Sequence, residues 1–240
     1  MLTLIHGDDI VSSRKYFQDI KQRHVDALLI EGDKANLTDI TQIFEGGGLF
    51  YESKTVFIEQ FLTKKFKKSA AGSAKKTASE AVNIAAYLEK QATDNNIILW
   101  EGKELEKSAL SLFKIADIKM FKFPQTLFLF LDSIKPNNGK QLISLFHKTI
   151  VNSEEEMVFF MLIRQVRLFL GIVEPTPDPI DEIKRVQPWQ KDKLKKQAAL
   201  FKKEQLIQLY SDLFKIETGQ KTGGLSSSLT SSIDFLLLGI

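Results

Sequence analysis

The 240-residue sequence contains no cysteine. That absence excludes disulfides and thiolate chemistry and removes most zinc sites. No run of about 18 apolar residues occurs, so no membrane-spanning helix is indicated. Histidine is scarce: His6, His24 and His147 fall on different predicted elements, where each reads as a packed or surface residue rather than a catalyst. No Gly-x-Ser-x-Gly nucleophile elbow is present. The opening residues read as a strand and lack the basic start and small-residue cleavage site of a signal peptide. These absences leave a cytoplasmic globular chain as the natural reading. Hydrophobic residues at 43% and charged residues at 26% agree with it, and the length suits one large domain or two modest ones.

Charge of either sign is nearly balanced overall, at a net +3, but lysine is unevenly placed. Lys64, Lys65, Lys67, Lys68, Lys75 and Lys76 crowd one segment. Lys191, Lys193, Lys195, Lys196, Lys202 and Lys203 form a second group. Both groups could meet phosphate backbones, but a solvated linker and a solvated helix face are the plainer reading.

The most informative stretch is Gly46-Gly47-Gly48-Leu49-Phe50. It sets two large apolar side chains straight after a glycine run. Leaving Leu and Phe in water costs about 1.5–3 kcal/mol each relative to burial. They therefore either fold back into the core or serve to be buried by something else.

Strands and helices alternate through the first half. Strands are predicted over 2–7, 26–30, 55–58, 97–100 and 118–123, and helices over 10–23, 36–44, 78–91 and 104–115. The Lys/Ser/Ala/Gly stretch over 63–77 has the composition of a flexible insertion. This alternation predicts a parallel, doubly wound α/β layer over 1–123. After Pro124 only helices are predicted, over 127–134, 140–151, 154–172, 189–200, 203–216 and 225–238, which makes 124–240 a separate all-α domain. A proline-rich run, Pro175-Thr176-Pro177-Asp178-Pro179, interrupts them.

The place where a nucleotide-binding layer keeps its phosphate loop reads His6-Gly7-Asp8-Asp9-Ile10-Val11-Ser12-Ser13. A phosphate cradle needs several glycines and a lysine charge. This turn has one glycine and two carboxylates that would repel the ligand. The fourth strand ends Trp100-Glu101-Gly102, without the acidic pair that would hold magnesium. No ATP hydrolysis, cofactor or metal is expected of this chain alone. The run Glu154-Glu155-Glu156 is explained by its place at a helix start, where acidic side chains favour the dipole.

Four stretches in order carry a family pattern: Leu4-Ile5-His6-Gly7-Asp8-Asp9; Gly48-Leu49-Phe50-Tyr51-Glu52-Ser53-Lys54-Thr55-Val56-Phe57-Ile58; Leu162-Ile163-Arg164-Gln165-Val166-Arg167-Leu168-Phe169-Leu170; and a final third with Pro188-Trp189, Lys193-Leu194-Lys195-Lys196-Gln197-Ala198, Glu204-Gln205-Leu206, Glu217 and Lys221-Thr222-Gly223. Together they resemble the delta subunit of the bacterial DNA polymerase III clamp loader. The resemblance implies an AAA+-like α/β domain with a degenerate phosphate loop, followed by a helical collar domain. It implies a non-catalytic subunit of the polymerase holoenzyme that grips and opens the sliding clamp, while partner subunits turn over ATP. Its implied partners are the sliding clamp, the ATPase and delta-prime-type loader subunits, and primed DNA through the complex, with no membrane.

By the same resemblance, Leu49 and Phe50 would be the clamp-binding wedge. Arg164, Gln165, Arg167, Trp189, Lys221, Thr222 and Gly223 would belong to the collar, and Lys64, Lys65, Lys67, Lys68, Lys75 and Lys76 would be open to nucleic acid. One departure stands out. The family's small helical lid lies between the α/β layer and the collar, and here too few residues separate 118–123 from Thr126-Leu127-Phe128-Leu129 to hold it. Three competing readings remain: a DNA-binding protein acting through its lysine groups, an active phosphate-loop enzyme, and a delta-prime-type subunit. The sequence at 7–13 opposes the second. The third lacks its zinc cysteines and arginine-finger motif.

Overall fold

In the computed structural model, residues 1–32, 34–46, 53–63, 74–176 and 179–240 are described, the side chains of 74–80 excepted. Every residue of strand β1 (Leu2–Gly7) is buried, as befits the middle of a parallel sheet covered on both faces. It pairs in parallel with β4 (Asn96–Trp100) on one side and β5 (Asp117–Phe121) on the other. Strand β3 (Thr55–Glu59) joins β4 to the edge strand β2 (Leu28–Glu31), giving the order β2-β3-β4-β1-β5.

The strand period of two divides the core. Leu2, Leu4, Val56, Ile58, Ile97 and Leu99 face one side, packed with Ile40 and Phe44 of helix α2 (Leu37–Glu45) and Ile84 and Leu88 of α3 (Ala74–Gln91). Ile5, Phe57, Ile98 and Trp100 face the other, against Phe17 of α1 (Ile10–Gln22). The chain leaves β1 for the β2 edge and then steps back through β3 and β4 to β5. Right-handed crossovers in opposite directions place the intervening helices on opposite faces. This is the doubly wound parallel layer expected from the strand–helix alternation.

Two local expectations need correction. The helix predicted over 104–115 is only α4 (Lys107–Leu110). Its chain turns inward at Phe113, and the backbone N–H groups of Lys114 and Ile115 donate to Glu89 Oε1 of α3 instead of continuing a helix. Helix α3 begins at Ala74 rather than 78, because Ala74-Lys75-Lys76-Thr77 is helix-compatible sequence. Lys75 and Lys76 therefore sit on a helix, and 64–73 lies outside the described residues.

The chain divides into two compact units, Met1–Phe123 and Pro124–Ile240. Only residues 122–124 lie between β5 and α5 (Gln125–Asp132). The second unit continues with α6 (Gly139–Ile150), α7 (Glu155–Val173), α8 (Asp181–Arg185), α9 (Pro188–Ala198), α10 (Lys203–Thr222) and α11 (Leu229–Leu238). Helix α7 is its hub. Val158, Leu162, Val166 and Phe169 are all fully buried, and α7 packs against α5, α6, α8, α9, α10 and α11. A helix apolar on most of its circumference belongs in a core. The short α8 was not anticipated. It holds Ile183 in the core and places Asp181 and Glu182 at its start and Lys184 and Arg185 at its end, as the helix dipole favours.

Candidate functional site

In open α/β sheets, ligands bind beyond the carboxyl ends of the strands. At that end of β1 the described turn is tightly packed. Gly7 has φ +145°, and a Cβ there would lie 1.8 Å from the Phe121 carbonyl oxygen, so only glycine lets β1 end so close to β5. Asp9 caps α1: Oδ1 accepts from the Ser12 N–H at 3.0 Å and Oδ2 from the Ser12 hydroxyl at 2.7 Å. At this helix end a carboxylate already takes a first-turn N–H that a phosphate would use.

His6 is fully buried, and its Nδ1 accepts from the Leu105 N–H at 3.2 Å. Its proton accordingly sits on Nε2, which has no hydrogen-bond partner. Burial pushes the imidazole below its ordinary value of 6.5, against the pull of Glu104. Glu104 in turn pairs with Lys122 at 2.8 Å, which lowers the acid and raises the lysine.

Glu101, at 0% exposure, accepts from the Leu62 N–H at 2.7 Å and the Thr63 N–H at 2.8 Å. Burial still raises its carboxyl, outweighing those two donors. The Arg14 guanidinium lies 4.5 Å from the Trp100 ring centroid and 2.6 Å from Glu59 Oε2. Sequence reasoning missed Arg14 altogether and treated Glu101 only as an absent metal ligand. Its signal was a lone acid directly after a continuously apolar strand. Among the described residues, no group of three His, Cys, Asp or Glu side chains is placed to hold a metal.

The expected collar residues fall into two sets. Arg167 makes a two-pronged bond to Glu182 of α8, at 2.7 and 3.0 Å, which raises the guanidinium further. Arg164 reaches the same carboxylate at 3.6 Å, so one acid ties α8 to α7. Gln165 donates to Gln197 at 3.2 Å. Gln197 donates in turn to the carbonyls of Leu131 and Ile134, closing the end of α5. Arg164, Gln165 and Trp189 line one cavity of about 230 Å³ with Phe128 and Met161, and Trp189 is 67% exposed there. Lys221, Thr222 and Gly223 form a local helix ending instead. Lys221 pairs with Glu217 at 2.6 Å, the Thr222 hydroxyl donates to Thr218 O at 2.9 Å, and Gly223 closes α10 in the left-handed conformation.

Leu49 and Phe50, and Lys64, Lys65, Lys67 and Lys68, lie outside the described residues, as do the side chains of Lys75 and Lys76. In the second lysine group, Lys193 pairs with Asp132 at 2.6 Å and Lys203 pairs with Glu174. Part of that charge is thus engaged within the helical unit.

The chain is thus a parallel five-stranded α/β layer followed by an all-helical unit. Residues 124–238 match the family described as DNA polymerase III delta subunit, C-terminal domain. That match likens the helical unit to the C-terminal domain of the delta subunit. Among curated proteins, none matches the sequence. The solved structure of Bacillus subtilis DNA clamp loader delta protein (YqeN) is similar over 99% of this chain and 94% of that one, at 14% identity and a TM-score of 0.44. The likeness to the delta family rests on residues 124–238 alone.

Proposed function

We propose that this chain binds the sliding clamp of DNA polymerase III and opens it for loading onto primed DNA in the cytoplasm. The observation that carries the reading is the delta-type C-terminal domain over 124–238. In this reading the helical unit is the collar that joins the ATPase and delta-prime-type subunits, through Arg164, Gln165, Arg167, Trp189 and the Lys221–Gly223 ending. The α/β unit presents Leu49 and Phe50 as the wedge. Large apolar anchors entering a desolvated pocket are the usual hot spots of such an interface. ATP turnover is left to the partners, which fits the Asp9 carboxylate standing at the α1 N-terminus. In the same reading, the lysines of the 64–76 region meet primed DNA held by the complex.

Leu49→Ala with Phe50→Ala tests this directly. Calorimetric titration against the purified clamp is expected to show binding lost, with the circular dichroism of the chain unchanged. Unchanged affinity in the double variant would refute the wedge.

A further inference from the structure

The cavity between α5, α7 and α9 has a closed apolar floor and an open aromatic rim. Leu131, Leu168, Val186 and Leu194 line it and are each at most 9% exposed, whereas Phe128 and Trp189 line it at 49% and 67% exposure. The start of α9 holds Trp189 in place: Pro188 opens the helix, and the Gln187 N–H donates to Gln190 Oε1 at 3.3 Å. At about 230 Å³ the cavity is smaller than the roughly 300–1,000 Å³ of a small-molecule site. It suits one large apolar side chain.

The polar groups of the cavity are unevenly engaged. Lys193 is paired with Asp132 at 2.6 Å. Arg164 meets Glu182 only at 3.6 Å, and Arg167 already holds that carboxylate at 2.7 and 3.0 Å. Arg164 is therefore the lining cation with donors left to give. Gln165, at 9% exposure, donates from Nε2 to Gln197 at 3.2 Å, and its Oε1 accepts no hydrogen bond among the described residues. A buried amide oxygen in that state calls for a donor. The helix that carries Trp189 sets Lys191, Lys193, Lys195 and Lys196 against Asp192 alone, so the field around the rim is positive.

We infer that this cavity docks an acidic peptide segment of a partner protein. One large apolar side chain fills the space beside Phe128 and Trp189, a neighbouring carboxylate bonds the Arg164 guanidinium, and a peptide N–H donates to Gln165 Oε1. That a loader subunit supplies the segment rests on the collar reading above; the recognition chemistry does not. An apolar anchor in a desolvated pocket concentrates binding energy in a few residues. A carboxylate on a guanidinium adds direction, and the positive field repels a basic competitor. DNA would meet the same lysines, but it brings no apolar side chain to an aliphatic floor.

The test is titration of the full chain with an acetylated and amidated peptide, one Phe among glutamates, followed by tryptophan emission. The chain has two tryptophans, and Trp100 is only 5% exposed, so covering Trp189 moves the spectrum. The peptide is expected to shift emission to the blue, and replacing its Phe by Ala to weaken binding about tenfold or more. Exchanging its glutamates for lysines is expected to abolish binding. Arg164→Gln is expected to weaken the glutamate peptide about threefold to fivefold, with α8 still held through Arg167 and Glu182. No binding of the glutamate peptide, or equal binding of all three, would overturn the inference. So would tighter binding of oligothymidylate with the same blue shift, which would make the site one for nucleic acid. Size-exclusion chromatography with the ATPase subunits separates the two readings. Selective peptide binding with no such complex would overturn the collar reading and keep the site. A complex formed equally by wild type and Arg164→Gln, with no peptide binding, would overturn the site and keep the collar.

Discussion

His6 illustrates how a single buried residue near the end of β1 links to stability. Burial without a partner for Nε2 disfavours the imidazolium, so the folded chain holds His6 neutral below its ordinary value of 6.5. Between that lowered value and 6.5, the unfolded chain binds a proton that the folded chain refuses. Stability therefore rises with pH across this window, is fully present above 6.5, and is lost as pH falls through the folded value. His6→Gln can keep an acceptor toward the Leu105 N–H while removing the titration. Its urea midpoint is expected to change less than that of wild type between about pH 5 and pH 7. Equal slopes for the two proteins would show that His6 is not the group responsible. Glu101 titrates in the opposite sense: its raised carboxyl makes the folded state lose stability as pH rises from 4.5 through the raised value. The comparison must therefore be made as a difference between His6→Gln and wild type, so that Glu101 cancels.

At the scale of elements, α7 carries the helical unit. Leu162 is fully buried on a helix that touches every other helix of that unit, so truncation leaves a cavity with little freedom to collapse. Leu162→Ala is expected to destabilise by about 2–5 kcal/mol, read as a lower denaturant midpoint at unchanged slope. The same helix shows what the sequence makes legible. Its long apolar repeat gave the helix to within a residue at each end, and the buried runs of β1 and β4 gave the strands. The failures have local physical causes. Helix α4 stops early: Leu112 and Phe113 close in tight turns, and Glu89, on a different helix, takes the Lys114 and Ile115 N–H groups. Helix α10 runs on to Thr222 because Gly223, not an earlier residue, adopts the left-handed ending. The candidate site was less legible than the fold. Arg14 with Glu59, and Glu101 with Leu62 and Thr63, meet only through the parallel sheet, across dozens of residues that no local period connects.

For the molecule as a whole, the reading assigns separate tasks to the two units: clamp contact to Met1–Phe123 and subunit assembly to Pro124–Ile240. Each has its own buried core. Ile5, Phe57 and Leu99 belong to the first, and Leu142, Leu162 and Leu213 to the second. A unit with its own core and a boundary where the chain passes from strand to helix within three residues is a candidate for independent folding. The fragment 124–240 is expected to be helical by circular dichroism and to unfold in one cooperative transition. Given that result, mixing it with the ATPase subunits should yield a complex by size-exclusion chromatography, while calorimetry with the clamp should detect no binding. The charge distribution sharpens the comparison, because the Lys191–Lys203 group stays in the fragment and the 64–76 group does not. If the lysine groups rather than Leu49 and Phe50 governed function, the fragment would keep steeply salt-dependent DNA binding with no loader subunit present. A fragment that folds, fails to join the ATPase subunits and binds DNA alone would reverse the assignment of tasks, since assembly would then have no seat in the helical unit.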